Sequence, residues 1–297
     1  MASPPRLFDR VLLAGRLDRA LRAPQPGADF LLVRAAEDLG DRLKLVQREF
    51  PDAAEIGAPG PHGFFALAAR QGARSTLRFA PTATSAALAE APGHVADLEH
   101  PGFAPQSLDL VVSLLALHFV DDLPGVLIQL RQALRPDGLL IAALAGGDTL
   151  TELRQSLTIA ESEVIGGASP RVIPFVDVRA MGGLLQRAGL ALPVVDVDRT
   201  IVRYSDILSL MRDLRAFGAT NILQERSRAP LGRQVLIRAQ EVYAERFSDP
   251  DGRLRATFET LWISGWAPHE SQQKPLKPGS AAMRLEDALA KPRGKTE

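Results

Sequence analysis

"AAEIGAPGPHGFFAL", Ala53 to Leu67, decides how this chain is read. Ala53–Gly57 reads as the end of a short buried strand, the next residues as a glycine loop, and His62 onward as a helix. Glycines in a strand-to-helix loop let backbone N–H groups approach a ligand, and the helix N-terminus adds partial positive charge. A lone glycine pattern is weak, since any tight turn supplies one. Here the loop opens the first unit of an alternating series, which raises its value. Further strands are expected at Ser75–Ala80, His94–Leu98, Leu108–Leu115 and Leu139–Leu144, with helices at His62–Gln71, Thr84–Ala91 and Leu123–Leu134. The runs "LDLVVSLLAL" and "GLLIAAL" are almost wholly apolar, as strands covered on both faces should be. The alternation predicts an α/β fold, a mostly parallel sheet with helices on both faces, and a ligand site at the carboxyl ends of the strands.

Outward from that core, "GADFLLVRAAEDLGDRLKLVQREF" (27–50) is a helix before the first strand. At the start, apolar Leu7, Val11, Leu12, Ala14, Leu17 and Leu21 recur at helical spacing. An arginine-rich transit peptide is the competing reading, opposed by Asp9 and Asp18. Pro136, Asp137 and Gly138 suit a type I turn between helix and strand. Thr149 or Asp148 can cap the next helix, with Glu152 completing a capping box on Thr149. "FVDVRAMGGLLQRAGL" is a helix closed by Gly189, "LPVVDVDRTIVRY" a strand; helices at Asp206–Phe217 and Leu231–Phe247 precede a last strand in "TFETLWISGWAP". The expected division is a helical segment at 1–50, a Rossmann-like core at 51–150, a part at 151–270 that completes the sheet with inserted helices, and a partly disordered tail at 271–297.

Composition narrows the function. The 35 basic and 35 acidic residues balance, so no sequence-wide pull toward nucleic acid is indicated. With no cysteine there is no thiol nucleophile and no Cys-built metal site. No apolar run reaches the roughly 18–20 residues of a membrane span, and a cytoplasmic protein is expected. There is no G-x-S-x-G elbow, no P-loop and no H-E-x-x-H. The five histidines are scattered, and no metal site is drawn from their spacing.

The element order, with "VADLEHPGFAPQS" and "SLDLVVSLLALHFVDDLPGVLIQLRQALRPDGLLIAAL", resembles the class I S-adenosylmethionine-dependent methyltransferases. "LFDRVLLAGRLDRAL", "GGDTLTELR", "SPRVIPFVDVRAMGGLLQRAG" and "GWAPHES" are similar to one branch of that superfamily. It contains a mitochondrial respiratory complex I assembly factor and its bacterial relatives, and is related to the malonyl-carrier-protein methyltransferase of biotin synthesis. The resemblance implies a Rossmann-like methyltransferase fold and S-adenosylmethionine as cofactor. It implies Glu55, Gly57, Gly60, Asp97, Leu98 and Ser113 as cofactor contacts, and a complex I subunit as partner, with the chain peripheral to the inner membrane through that partner. The mitochondrial member is associated with hydroxylating an arginine of a complex I subunit.

Departures fall on the cofactor. Pro59 and Pro61 take the second and third glycine places of the ungapped loop, and proline has no N–H to donate. "STLRFAPTATSAALAE" offers no acid after the second strand, where the family holds the ribose hydroxyls, until Glu90. Losing such a charge-assisted bond costs about 1.5–3 kcal/mol.

Each candidate has a plainer role beside the functional one. Glu55 binds the methionine end of the cofactor or the loop amides; Asp97 accepts from adenine or shapes a turn. His118, after the fourth strand, moves a proton or packs locally. Asp148 faces a substrate or caps a helix, and Arg171 binds an acidic group or a surface carboxylate. Trp262, Trp266 and His269 pack a core or meet a partner. Three functions stay open: methyl transfer to a small molecule or protein, a non-catalytic assembly factor that has lost the cofactor, and protein arginine hydroxylation.

Overall fold

The computed structural model describes residues 6–69, 72, 74–88 and 93–273. Two amphipathic helices, α1 (Arg10–Arg22) and α2 (Phe30–Lys44), lead into β1 (Asp52–Ile56). There follow α3 (His62–Ala68), β2 (Ser75–Ala80), the single turn α4 (Ala83–Ala86), β3 (His94–Val95), β4 (Leu108–Leu114), α5 (Leu123–Ala133) and β5 (Leu134–Ala145). The rest is α6 (Thr151–Ile165), α7 (Val178–Arg187), β6 (Ala191–Tyr204), α8 (Ile207–Ala216), α9 (Arg233–Phe247) and β7 (Leu254–Trp266).

One seven-stranded sheet runs in the order β3-β2-β1-β4-β5-β7-β6. The first five strands pair in parallel, and β7 is antiparallel to both neighbours. The chain moves outward from β1 to β3 and then returns to place β4 on the other side of β1. At that reversal the loops after β1 and β4 diverge and leave a crevice. Alternation along the buried strands feeds two cores. Ala54, Ile56 and Val111 pack against Leu127 and Leu130 of α5 and Met181 of α7. Ala53, Leu110 and Val112 pack on the other face against Leu32, Leu39 and Leu43 of α2. The α/β architecture is thus the Rossmann-like one the alternation implied.

Local departures have identifiable causes. Asp137 has φ +63°, which excludes the expected type I turn, where the third residue has negative φ. Its N–H donates to Ala267 O at 3.0 Å, and its carboxylate is taken by Arg48 and by Gln272 (2.9 Å), so tertiary bonds set its left-handed backbone. The strand therefore starts at Leu134, with an irregularity opposite Leu108–Leu110. The capping box also fails. Thr149 Oγ1 donates to Glu259 O at 3.0 Å, the Glu152 carboxylate accepts from the Thr257 N–H, and Leu150, with φ +55°, precedes α6 without a side-chain cap. In place of the strand His94–Leu98 there are two paired residues, because Asp97 turns back to bridge His100. Helix α2 stops at Lys44, short of Phe50, and α4 is one turn where eight residues were expected. Residues 70–71, 73 and 89–92, which end two expected helices, and the tail from 274 lie outside the described residues.

Candidate functional site

A cavity of about 1340 Å³ opens over the carboxyl ends of the strands. Its floor is built from the strand-end loops: Gly57, Pro59 and Gly60 after β1, Asp97 and Leu98 after β3, His118 after β4, and Ala145 at the end of β5. Leu13 and Leu17 of α1 wall one side, and Leu214 and Phe217 at the end of α8 another. The apolar stripe of α1 is thereby explained, since part of it faces this space. The helix is fixed in place by the Leu7 and Phe8 N–H groups donating to Asp121 Oδ1 (2.8 and 2.9 Å) and by the Asp9 N–H donating to Ile222 O (2.8 Å).

Of the residues expected from sequence, Gly57, Gly60, Asp97, Leu98 and His118 line the cavity together. Gly57 has φ +85°, and a Cβ there would stand 2.7 Å from Ala116 Cβ and 3.0 Å from Leu98 Cδ1, so only glycine lets β1 pass this close beneath the cavity. The Asp97 carboxylate is bound by Arg10 Nη1 at 2.5 Å and by the Glu99 N–H at 3.0 Å.

Glu55, Ser113 and Asp148 do not line it. Glu55 is 1% exposed beneath the loop, close to the amides of Gly63 and Phe64 and 3.7 Å from Arg78 Nε. Burial pushes its carboxyl up to about 8, with the Arg78 charge opposing. Ser113 is fully buried in β4, and its hydroxyl donates to Ile56 O at 2.9 Å, tying β4 to β1. Asp148, read as a substrate-facing or a helix-capping residue, pairs with Arg199 of β6 at 2.5 Å.

His118 packs against Phe119 and Phe175, and burial without a counter-charge pushes its pKa down to about 3. Its Nδ1 accepts from the Ala145 N–H at 3.4 Å, so Nε2 carries the proton of a neutral ring. Arg171 reaches the cavity wall with its fork closed on Glu161, at 2.9 and 2.5 Å. Trp262 lies in the core with the Arg42 guanidinium 4.6 Å from its ring centroid, and Trp266 packs near Phe50. Trp266 and His269 belong to the opposite end of the sheet, where Trp266 pairs with Leu139, whereas Trp262 pairs with Ala143 further along β5.

Three residues around the cavity escaped the sequence reading. Arg10 answers Asp97. His62 opens α3 with Nε2 3.1 Å from Asp29 Oδ2. Arg78 is 2% exposed and donates to Pro59 O (3.2 Å), Ser85 O (2.8 Å) and Ser85 Oγ (2.7 Å). An arginine between the apolar Leu77 and Phe79 of a strand was the available signal.

Tested against S-adenosylmethionine, the cavity fits in shape: the glycine approach at β1 and the Asp97–Leu98 corner can receive an adenosyl group. The ribose side is poorer. Ala80, Pro81 and Thr82 follow β2, and the cavity's acids Asp29, Asp97 and Glu99 each have a partner already, Glu99 accepting from the Asp121 and Asp122 N–H groups. Among the described residues, no three His, Asp or Glu side chains are grouped to hold a metal ion.

Residues 55–142 match the family described as "Methyltransferase domain". The chain is 38% identical over 267 residues to "Arginine-hydroxylase NDUFAF5, mitochondrial" of Danio rerio, covering 87% of this chain and 82% of that protein. Against the protein of the same name in Homo sapiens it is 37% identical over 284 residues, 93% of this chain and 81% of the relative. A malonyl-[acyl-carrier protein] O-methyltransferase of Laribacter hongkongensis is 42% identical over 192 residues, 64% of this chain and 62% of that one. Among solved structures, the YcgJ protein of Bacillus subtilis superposes with a TM-score of 0.53 at 12% identity, over 78% of this chain and 99% of that one.

Proposed function

The chain belongs to the NDUFAF5 arginine-hydroxylase family, a branch of the class I S-adenosylmethionine-dependent methyltransferases, and from that premise we propose that it hydroxylates an arginine side chain of a respiratory complex I subunit during assembly. The likeness to the hydroxylases carries this reading, because it runs through 93% of the chain and includes the helical start and the last strand as well as the cofactor core. We further propose a cytoplasmic location, at the inner membrane through that partner. No helix among the described residues is long and apolar enough to cross a membrane.

Methyl transfer is the second reading, favoured by the match of residues 55–142 and by the large cavity over the strand ends. S-adenosylmethionine, when bound, supplies an electrophilic methyl group. The chain's own residues would orient donor and acceptor: Gly57, Asp97 and Leu98 on the cofactor side, neutral His118 as a donor through Nε2 toward the acceptor. Hydroxylation would insert one atom of dioxygen into a C–H bond, the other leaving as water with two electrons and two protons from an external reductant, and this chain's part is then to bind and orient the arginine.

Mass spectrometry of complex I subunits from cells lacking the gene, and from complemented cells, separates the readings. Loss of a one-oxygen increment on an arginine, restored on complementation, supports hydroxylation. Loss of a methyl increment supports methyl transfer and overturns the first reading. Unchanged subunit masses with reduced complex I overturn hydroxylation and methylation of a subunit, and leave a non-catalytic assembly factor or methyl transfer to a small molecule. Calorimetry with S-adenosylmethionine and S-adenosylhomocysteine tests the cofactor directly, and binding must also raise the melting temperature.

A further inference from the structure

We propose that Arg78 is the positioning residue of the cofactor loop: from within β2 it grips the loop from beneath, and so replaces the shaping that glycines and their amides give a loop of this kind. The proposal rests on the reading that the cavity takes an adenosyl ligand.

The loop after β1 reads Gly57-Ala58-Pro59-Gly60-Pro61. Two of its residues have no N–H, so the loop has fewer donors with which to shape itself or hold a ligand. Its carbonyls remain, and one of them is caught. Pro59 O accepts from Arg78 Nη2 at 3.2 Å and from the Ser85 hydroxyl. Ser85 is itself held, since Arg78 donates to its carbonyl and its Oγ, and its N–H donates to Thr82 Oγ1 at 3.1 Å. One planar guanidinium thus joins β2, the cofactor loop and the α4 turn. Such a three-way grip uses the fixed fork of arginine, which a lysine ammonium cannot reproduce.

The surroundings are cut to fit this group. A Cβ on Gly93 would stand 3.1 Å from Arg78 Nη1, and one on Gly63 would lie 2.3 Å from Glu55 Oε1. Glycines therefore clear room for the guanidinium on one side and for the Glu55 carboxyl on the other. Glu55, 3.7 Å from Arg78 Nε, lies beneath the guanidinium and does not reach the cavity. The acid that the family motif assigns to the cofactor here supports the arginine that supports the loop. Ser85 is fully buried, and Arg78 and Glu55 nearly so, which keeps water from competing for these bonds.

The test compares the full-length protein with Arg78→Lys and Ser85→Ala. S-adenosylhomocysteine affinity is read by calorimetry, and amide exchange of residues 57–63 by mass spectrometry. A core variant remote from the loop, Leu130→Val, controls for stability loss alone. Expected for both loop-brace variants are an affinity loss of about ten- to a hundred-fold, the worth of one or two charge-assisted bonds, and faster exchange confined to the loop. Leu130→Val is expected to keep its affinity. Wild-type affinity and wild-type loop exchange in Arg78→Lys and Ser85→Ala overturn the proposal, as does an equal affinity loss in Leu130→Val. If Arg78→Lys does not fold, Ser85→Ala alone decides by the same two readings. If the wild type binds no S-adenosylhomocysteine, the cofactor reading fails, and the exchange measurement still judges the brace.

Discussion

At the scale of single residues, Glu55 makes a claim about pH. Its folded pKa, about 8, lies above the ordinary carboxylate value because burial outweighs the Arg78 charge. A raised acid contributes stability in full below the unfolded pKa and loses it as pH climbs through the folded one, so the wild type should weaken between about pH 4.5 and 8. Glu55→Gln lacks this proton. The two proteins should match at about pH 4, and the glutamine form should be more stable by roughly 4 kcal/mol at pH 8. Urea denaturation at the two pH values checks it, and a variant less stable at pH 8 would show the ion pair to dominate instead. The same residue shows what sequence can and cannot deliver. Its place at the end of β1 was legible from local pattern. Its partner was not, because Arg78 comes from another strand, and nothing local tells whether a carboxylate points up into a cavity or down beneath a loop. Asp97 is a parallel case, its carboxylate taken by Arg10 from 87 positions earlier in the chain.

Elements were legible where period and punctuation agree. Helix α7 is one: Asp177 stands just before its apolar period, and in the structure its carboxylate accepts from the Ala180 N–H at 2.8 Å. Asp177→Ala should therefore cost about 1 kcal/mol, read as a lowered urea midpoint with an unchanged slope. Strands β1, β2 and β4 were equally readable, being short apolar runs bounded by turn residues. Elements went astray where distant bonds override a local preference. Thr149 and Glu152 spell a capping box, yet both side chains are drawn to β7, over a hundred residues later. Pro136-Asp137-Gly138 spells a turn, yet Ala267 and Gln272 hold Asp137 inside a strand. The short β3 fails for a related reason, since the Asp97 carboxylate bonds the Glu99 N–H and turns the chain.

For the molecule as a whole, the mostly parallel sheet with helices on both faces was foreseeable from the alternation and the resemblance, whereas the walls of the cavity were not. An amphipathic period announces that α1 has an apolar face without saying that part of it fronts an opening. The sheet's order carries a further expectation. β7 sits between β5 and β6 and pairs with both, so a chain ending at Phe247 leaves β5 with a bare apolar edge and β6 detached. Such a fragment should partition into the insoluble fraction on centrifugation, whereas one ending at residue 273 should stay in the supernatant with a cooperative melt. The placement of that last strand also sets a timetable for biosynthesis. A ribosome that has finished β5 at Ala145 must still polymerise everything up to Trp266 before the gap beside it can be filled. At about 5–20 residues per second, the nascent protein carries an open seam for several seconds, a window in which a holding chaperone has something definite to cover.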